Sequence, residues 1–123
     1  MSAPNIVNVS SIVAGWTAII PTNTLTNIML ANLTDSGSVV KVNSLVITNV
    51  SDQTAGTSVS MNNAANGSGV SYRIAYNIYV PPNASLQLVD KGNFLYVTEN
   101  TSVLVSSTIP SALEYVGVYE TIS

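Results

Sequence analysis

Along the chain, short runs of β-branched and aromatic residues are cut at close intervals by Gly, Pro, Asn and Asp, and no stretch keeps the i, i+3, i+4, i+7 apolar spacing of an amphipathic helix. The pattern predicts an all-β fold. Its clearest run is Tyr72-Arg73-Ile74-Ala75-Tyr76-Asn77-Ile78-Tyr79-Val80. Strict alternation places Tyr72, Ile74, Tyr76, Ile78 and Val80 on one face and Arg73 and Asn77 on the other, so the first set is expected in the core. Pro81-Pro82 ends the run, because proline donates no ladder hydrogen bond. Strands 86–89 and 94–98 follow. Between them Asp90-Lys91-Gly92-Asn93 predicts a tight hairpin with Gly92 at positive φ. Further strands are expected over 101–106 and 113–120.

The first half has the same rhythm, with strands expected near 17–20, 25–33, 38–50 and 57–62, and a turn at Asp35-Ser36-Gly37. Within 38–50 the apolar parity slips: Val40 and Val42 share one face, Leu45 and Ile47 the other. That slip predicts a bulge near Asn43-Ser44. Residues 62–69, small and polar with Gly67-Ser68-Gly69, predict a mobile surface loop. Residues 1–12 predict an N-terminal arm or edge strand, and 13–123 a single domain. Eight or nine short strands at this spacing predict an antiparallel β-sandwich or jelly roll.

Composition narrows the partners. The chain has 123 residues, enough for one core, and 46% are apolar. Only 7% are charged, against about 25% in an average soluble protein. Asn, Ser and Thr, 43 residues in all, keep the surface wet instead. With Lys41, Arg73 and Lys91 as the only cations, the chain cannot neutralise a run of phosphates, so neither nucleic acid nor an anionic membrane is an expected partner. No window reaches the roughly 18 consecutive apolar residues of a membrane span, and the first residues lack the basic start of a signal peptide, which points to synthesis in a cytoplasm.

Candidate chemistry is sparse. Without His or Cys the common catalytic triads and thiolate metal sites cannot be built, so no catalytic, cofactor-binding or metal residue is assigned and no cofactor is expected. Asp35, Asp52 and Asp90 fit turns, leaving Glu99, Glu114 and Glu120 for a glycosidase-type pair, weighed against solvated strand ends. Calcium at Asp35 or Asp52 lacks a dense acidic loop. Asn-x-Ser/Thr triplets occur at Asn8, Asn32, Asn49, Asn66, Asn83 and Asn100, a number that chance supplies in so Asn/Ser/Thr-rich a chain. The six tyrosines and Trp16 suit a sugar platform or, more simply, core and interface.

Three stretches carry a resemblance. They are Ser36-Gly37-Ser38-Val39-Val40-Lys41-Val42-Asn43-Ser44-Leu45-Val46-Ile47-Thr48-Asn49-Val50, then Tyr72-Arg73-Ile74-Ala75, then Ile78-Tyr79-Val80-Pro81-Pro82-Asn83-Ala84-Ser85-Leu86. With Val89-Asp90-Lys91, Leu113-Glu114-Tyr115 and Tyr119-Glu120-Thr121-Ile122-Ser123, this set resembles small structural proteins of tailed-phage virions, especially those of cyanophages, over roughly residues 36–123. The resemblance implies a non-enzymatic capsid decoration (cement) protein on the outer surface of the virion, bound to the major capsid protein. The alternative it implies is a tail- or fibre-associated protein, including a host-carbohydrate-binding module. No catalytic residues carry over. Self-association is expected, as a homo-oligomer and in particular a trimer at a threefold lattice position.

Overall fold

The computed structural model describes residues 10–21 and 27–123. The strands are β1 (Ile12–Ile19), β2 (Asn27–Asn32), β3 (Val39–Asn49), β4 (Ala55–Asn62), β5 (Ser71–Val80), β6 (Ser85–Val89), β7 (Leu95–Val97), β8 (Thr101–Ser107) and β9 (Leu113–Ile122). All pair antiparallel, in two packed sheets: β1-β9-β3-β6 with β7 also beside β3, and β2-β8-β4-β5. The all-β sandwich expected from the alternation is therefore the fold.

The pairings nest. Innermost, β4 meets β5; outside them β3 meets β6 and β7, then β2 meets β8, and outermost β1 meets β9. The chain is one long hairpin rolled up, and the roll adds the contacts β3·β9 and β4·β8, which is jelly-roll winding. At the outer end, Ser10 and Ser11 donate backbone hydrogen bonds to the Ser123 carbonyl, and Ser123 donates back to Ser11. Of the expected arm, residues 1–9 lie outside the described residues and Ile12 opens β1.

Apolar residues from both sheets fill the interior, among them Val42, Leu45, Ile47, Val59, Val103, Val105, Leu113 and Tyr115. The register of β3 on β9 shifts between Val42 and Ser44, where the parity slip placed the bulge, so Val40, Val42, Leu45 and Ile47 are all buried. Polar groups tie the layers together. The Tyr115 hydroxyl of β9 reaches across to the opposite sheet, donating to the Ser106 carbonyl at 2.9 Å and bonding to the Thr57 hydroxyl.

Three strands end in a buried asparagine that clamps the next loop. Asn32 Nδ2 donates to the Ser38 and Val97 carbonyls, and Asn49 Nδ2 to those of Gln53 and Val80. Asn62 Nδ2 donates to the Gly69 carbonyl and the Ser71 hydroxyl, while its Oδ1 accepts from the Ala64 and Gly69 amides. An amide side chain suits these corners because one end donates twice while the other accepts. The segment expected to be a mobile loop is thus the internally bonded tip of the β4–β5 hairpin. Ala65 is also held by the Asn100 side chain, and Ser102 by the Ala64 carbonyl.

Two expectations are corrected. No hairpin joins β6 to β7: both run the same way along β3, β6 opposite residues 45–48 and β7 opposite residues 40–42. They are one edge strand interrupted at the level of the β3 bulge. Asp90-Lys91-Gly92-Asn93 is a turn closed by Asn93 N–H on the Asp90 carbonyl at 3.0 Å, with Gly92 N–H on Asp90 Oδ1, and Gly92 does not have positive φ. The Asp90 side chain organises the bend, so no left-handed residue is required.

The second correction is the register of β5. Ala75 and Val80 are its buried residues, whereas Tyr72, Tyr76 and Tyr79 are exposed and Ile74 and Ile78 are more than a third exposed, at 38% and 39%. Asn77 sits at φ 49 in mid-strand, and β5 spends one extra residue against β4 between Ile78 and Ala75 and another between Ala75 and Arg73. Each bulge shifts the alternation by one, so a stripe regular in sequence is divided between two faces.

Candidate interaction surface

The two bulges of β5 put Arg73 opposite Ser60 of β4, and beyond them Tyr79 stands opposite Gly56. Ser60 and Gly56 belong to the face of the second sheet that points away from the core, since Thr57 and Val59 alternate with them and face inward. Arg73, Tyr76 and Tyr79 therefore form a wall along the β5 edge of this sheet. Its floor is Gly56, Ser58 and Ser60 of β4, with Ser106 of β8 opposite Ser58. The floor residues are small and nearly covered, while Tyr76 and Tyr79 remain 61% and 69% exposed.

Local contacts set the wall. The Arg73 guanidinium lies over the Tyr76 ring at 4.8 Å, a cation–π contact that holds both side chains on one side. Asn77 N–H donates to Ser58 Oγ at 3.1 Å and pins the bulge to the floor. The Tyr79 ring covers Gly56, where a Cβ would approach it to 3.4 Å and the Thr108 methyl to 3.0 Å. At the far end of the same face the 63–70 loop closes over Leu104 and Ile28, with Gly67 at φ +78 packed on both. Flat aromatic faces and neutral hydroxyls around one guanidinium can stack, exclude water and accept or donate hydrogen bonds.

Other sequence candidates are scattered. Glu99 Oε2 accepts from the Gly37 amide and Glu120 Oε1 from Asn43 Nδ2, so both hold local structure. Glu114 and Glu120, six residues apart on β9, stand about 20 Å apart along the strand, beyond the reach of a glycosidase pair. Asp35, at φ 59, lies in the β2–β3 turn, and no three Asp or Glu gather in a metal-holding group among the described residues. Asn32 and Asn49 are buried, which withdraws two Asn-x-Ser/Thr triplets from any glycan.

The aromatic residues are not one platform. Tyr115 is core, Phe94 meets Tyr96 edge to face and carries the Lys41 ammonium over its ring, and Trp16 lies 72% exposed on the outer face of the first sheet. Between the sheets an interior gap of about 10 Å³, lined by Thr17, Met29, Val42, Leu45 and Tyr119, is too small for an organic ligand. The wall and floor are hidden in the sequence because Tyr76 continues the alternating apolar stripe from Tyr72 to Val80. Two signals could have found them: Asn77, which tolerates left-handed backbone, and the alternation of small with larger residues in Gly56-Thr57-Ser58-Val59-Ser60.

No protein-family model, no curated protein and no solved structure matches this chain.

Proposed function

We propose that this chain is a non-enzymatic virion structural protein, a capsid decoration domain that adheres to the head lattice through the Arg73–Tyr76–Tyr79 wall. The observation that carries the proposal is that wall: two tyrosines and an arginine left exposed over a small neutral floor, the residue types that dominate binding energy at protein interfaces. The virion resemblance over residues 36–123 supports it, as does a surface so poor in charge that attachment must rest on apolar and hydrogen-bonded contacts.

The test mixes purified protein with undecorated capsids at low and high salt, using the full chain, a chain lacking residues 1–9, and a Tyr76→Ser/Tyr79→Ser variant. Full-length protein is expected to bind at both salt levels, because screening weakens charge-driven complexes selectively. The double variant is expected to bind at least about tenfold more weakly. Absence of binding by the full chain, or binding at low salt only, overturns the capsid assignment. A second assignment, a tail- or fibre-borne module for host carbohydrate, is favoured by the hydroxyl floor beside the tyrosine rings, which suits stacking on sugars. Glycan-array binding abolished in the same variant would establish it.

A further inference from the structure

The first sheet ends on β1, which among the described residues pairs on one side only, with β9. The other outer strands are blunted in the ways that prevent edge-to-edge association. β5 has two bulges, β2 has a shift between Ile28 and Leu30, and the β6/β7 edge is broken by the turn carrying Asp90 and Lys91. β1 has none of these protections. Its eight residues, Ile-Val-Ala-Gly-Trp-Thr-Ala-Ile, pair with β9 in eight consecutive steps without a shift and include no charge and no proline. Its other side, unpaired among the described residues, is a straight row of backbone donors and acceptors, which only another extended strand can satisfy along its length.

We propose that this strand is β1 of a second copy, docked antiparallel about a two-fold axis at Gly15. Parity and side-chain size argue for that occupant. Trp16 and Ala18 lie opposite Val118 and Val116, the exposed residues of β9, so they point away from the core, and by alternation Ile12 and Ala14 join them. To keep both cores on the same side of a joined sheet, the paired residue numbers must have an even sum.

With Gly15 opposite Gly15 the outward row becomes self-complementary: Ile12 faces Ala18 of the second copy and Ala14 faces Trp16, so every large side chain meets a small one. The inner side is compatible with this axis, because Gly15 is covered by its own Tyr119 ring, where a Cβ would approach to 2.8 Å. With no charge on either strand, self-pairing meets no repulsion. The joined outer face carries Trp16, Val116 and Val118 from both copies as one continuous apolar surface.

This pairing stands on the edge strand itself and is independent of the virion assignment, which uses the other sheet. The full chain is examined by sedimentation velocity beside Ala14→Glu, whose outward, exposed position leaves the core intact, a point checked by its melting curve. A dimer is expected for the natural chain, weakened at least about tenfold by Ala14→Glu, equivalent to about 1.4 kcal/mol. In Ile12→Cys/Ala18→Cys, the only thiols in the molecule should form reductant-sensitive intermolecular disulfides on oxidation, whereas within one strand these positions are about 20 Å apart. A monomer at all concentrations, a trimer, or a dimer indifferent to Ala14→Glu and not trapped by the cysteine pair each overturns the proposal. Capsid binding by Ala14→Glu separates its failure from that of the decoration assignment.

Discussion

Tyr115 is a phenol at the centre of an apolar core, fully buried and bonded to the opposite sheet through Thr57 and Ser106. Burial raises its pKa from 10.0 to about 12, partly offset by the Thr57 hydrogen bond, so the fold favours the neutral form. Its contribution is therefore complete below pH 10 and is lost as pH rises from 10 to about 12, up to roughly 3 kcal/mol at the end of that window. Tyr115→Phe should cost about 1–3 kcal/mol at neutral pH by stranding the Thr57 and Ser106 groups. The gap between natural and variant chains in denaturant midpoint should narrow across the alkaline window. A gap of constant size between pH 9 and 12 would contradict the assignment. Asn49 offers a second test at this scale. Asn49→Asp removes both donors and turns oxygens toward the Gln53 and Val80 carbonyls, so a loss of about 3 kcal/mol is expected in equilibrium unfolding, against little change for Asn→Asp at exposed Asn93.

Among the elements, β5 separates what alternation reveals from what it hides. Because Val80 is buried and Ile74 lies on the rim, Val80→Ala should cost about 2 kcal/mol and Ile74→Ala about 1 kcal/mol or less, measured by thermal or chemical denaturation. Equal costs would restore the unbroken stripe. The glycines divide likewise: Gly67→Ala at φ +78 should cost about 1–2 kcal/mol, whereas Gly92→Ala should fall within about 0.5 kcal/mol, because a Cβ there meets only Asp90 Oδ1 at 3.5 Å. Strand existence was legible from β-branched runs and turn residues, and the β3 bulge from a parity slip among residues that are all apolar. The β5 bulges were not, because tyrosine and isoleucine satisfy a core face and an interface face equally. Nor was the β6/β7 interruption: Asp90-Lys91-Gly92-Asn93 has hairpin composition, and only pairing to a distant strand shows that the chain does not reverse there. The Arg73–Tyr76–Tyr79 wall depends on those bulges and was hidden for the same reason.

The whole molecule follows from nested pairings. Closing β4 on β5 spans only the 63–70 loop, while β1 meets β9 only after most of the chain intervenes, so loop-closure entropy orders the roll from its centre outward. Folding should be slow for the chain's size, in the millisecond-to-second range of non-local β topologies. Core substitutions near the β4–β5 centre, such as Val59→Ala, should slow refolding, while Ile19→Ala at the outer pair should mainly speed unfolding. A stopped-flow chevron series reads this directly, and the reverse partition would contradict an inside-out order.

The meeting of Ser10 and Ser11 with Ser123 also has a mechanical consequence. A force applied between these points acts at one end of an antiparallel pair whose hydrogen bonds lie across the strands, so the β1–β9 seam opens one rung at a time at low force. A load entering through the sheet faces or along the β1 edge meets many rungs at once. The domain is thus weak where Ser10 and Ser11 meet Ser123 and strong across its broad surfaces, which are the better route for tension.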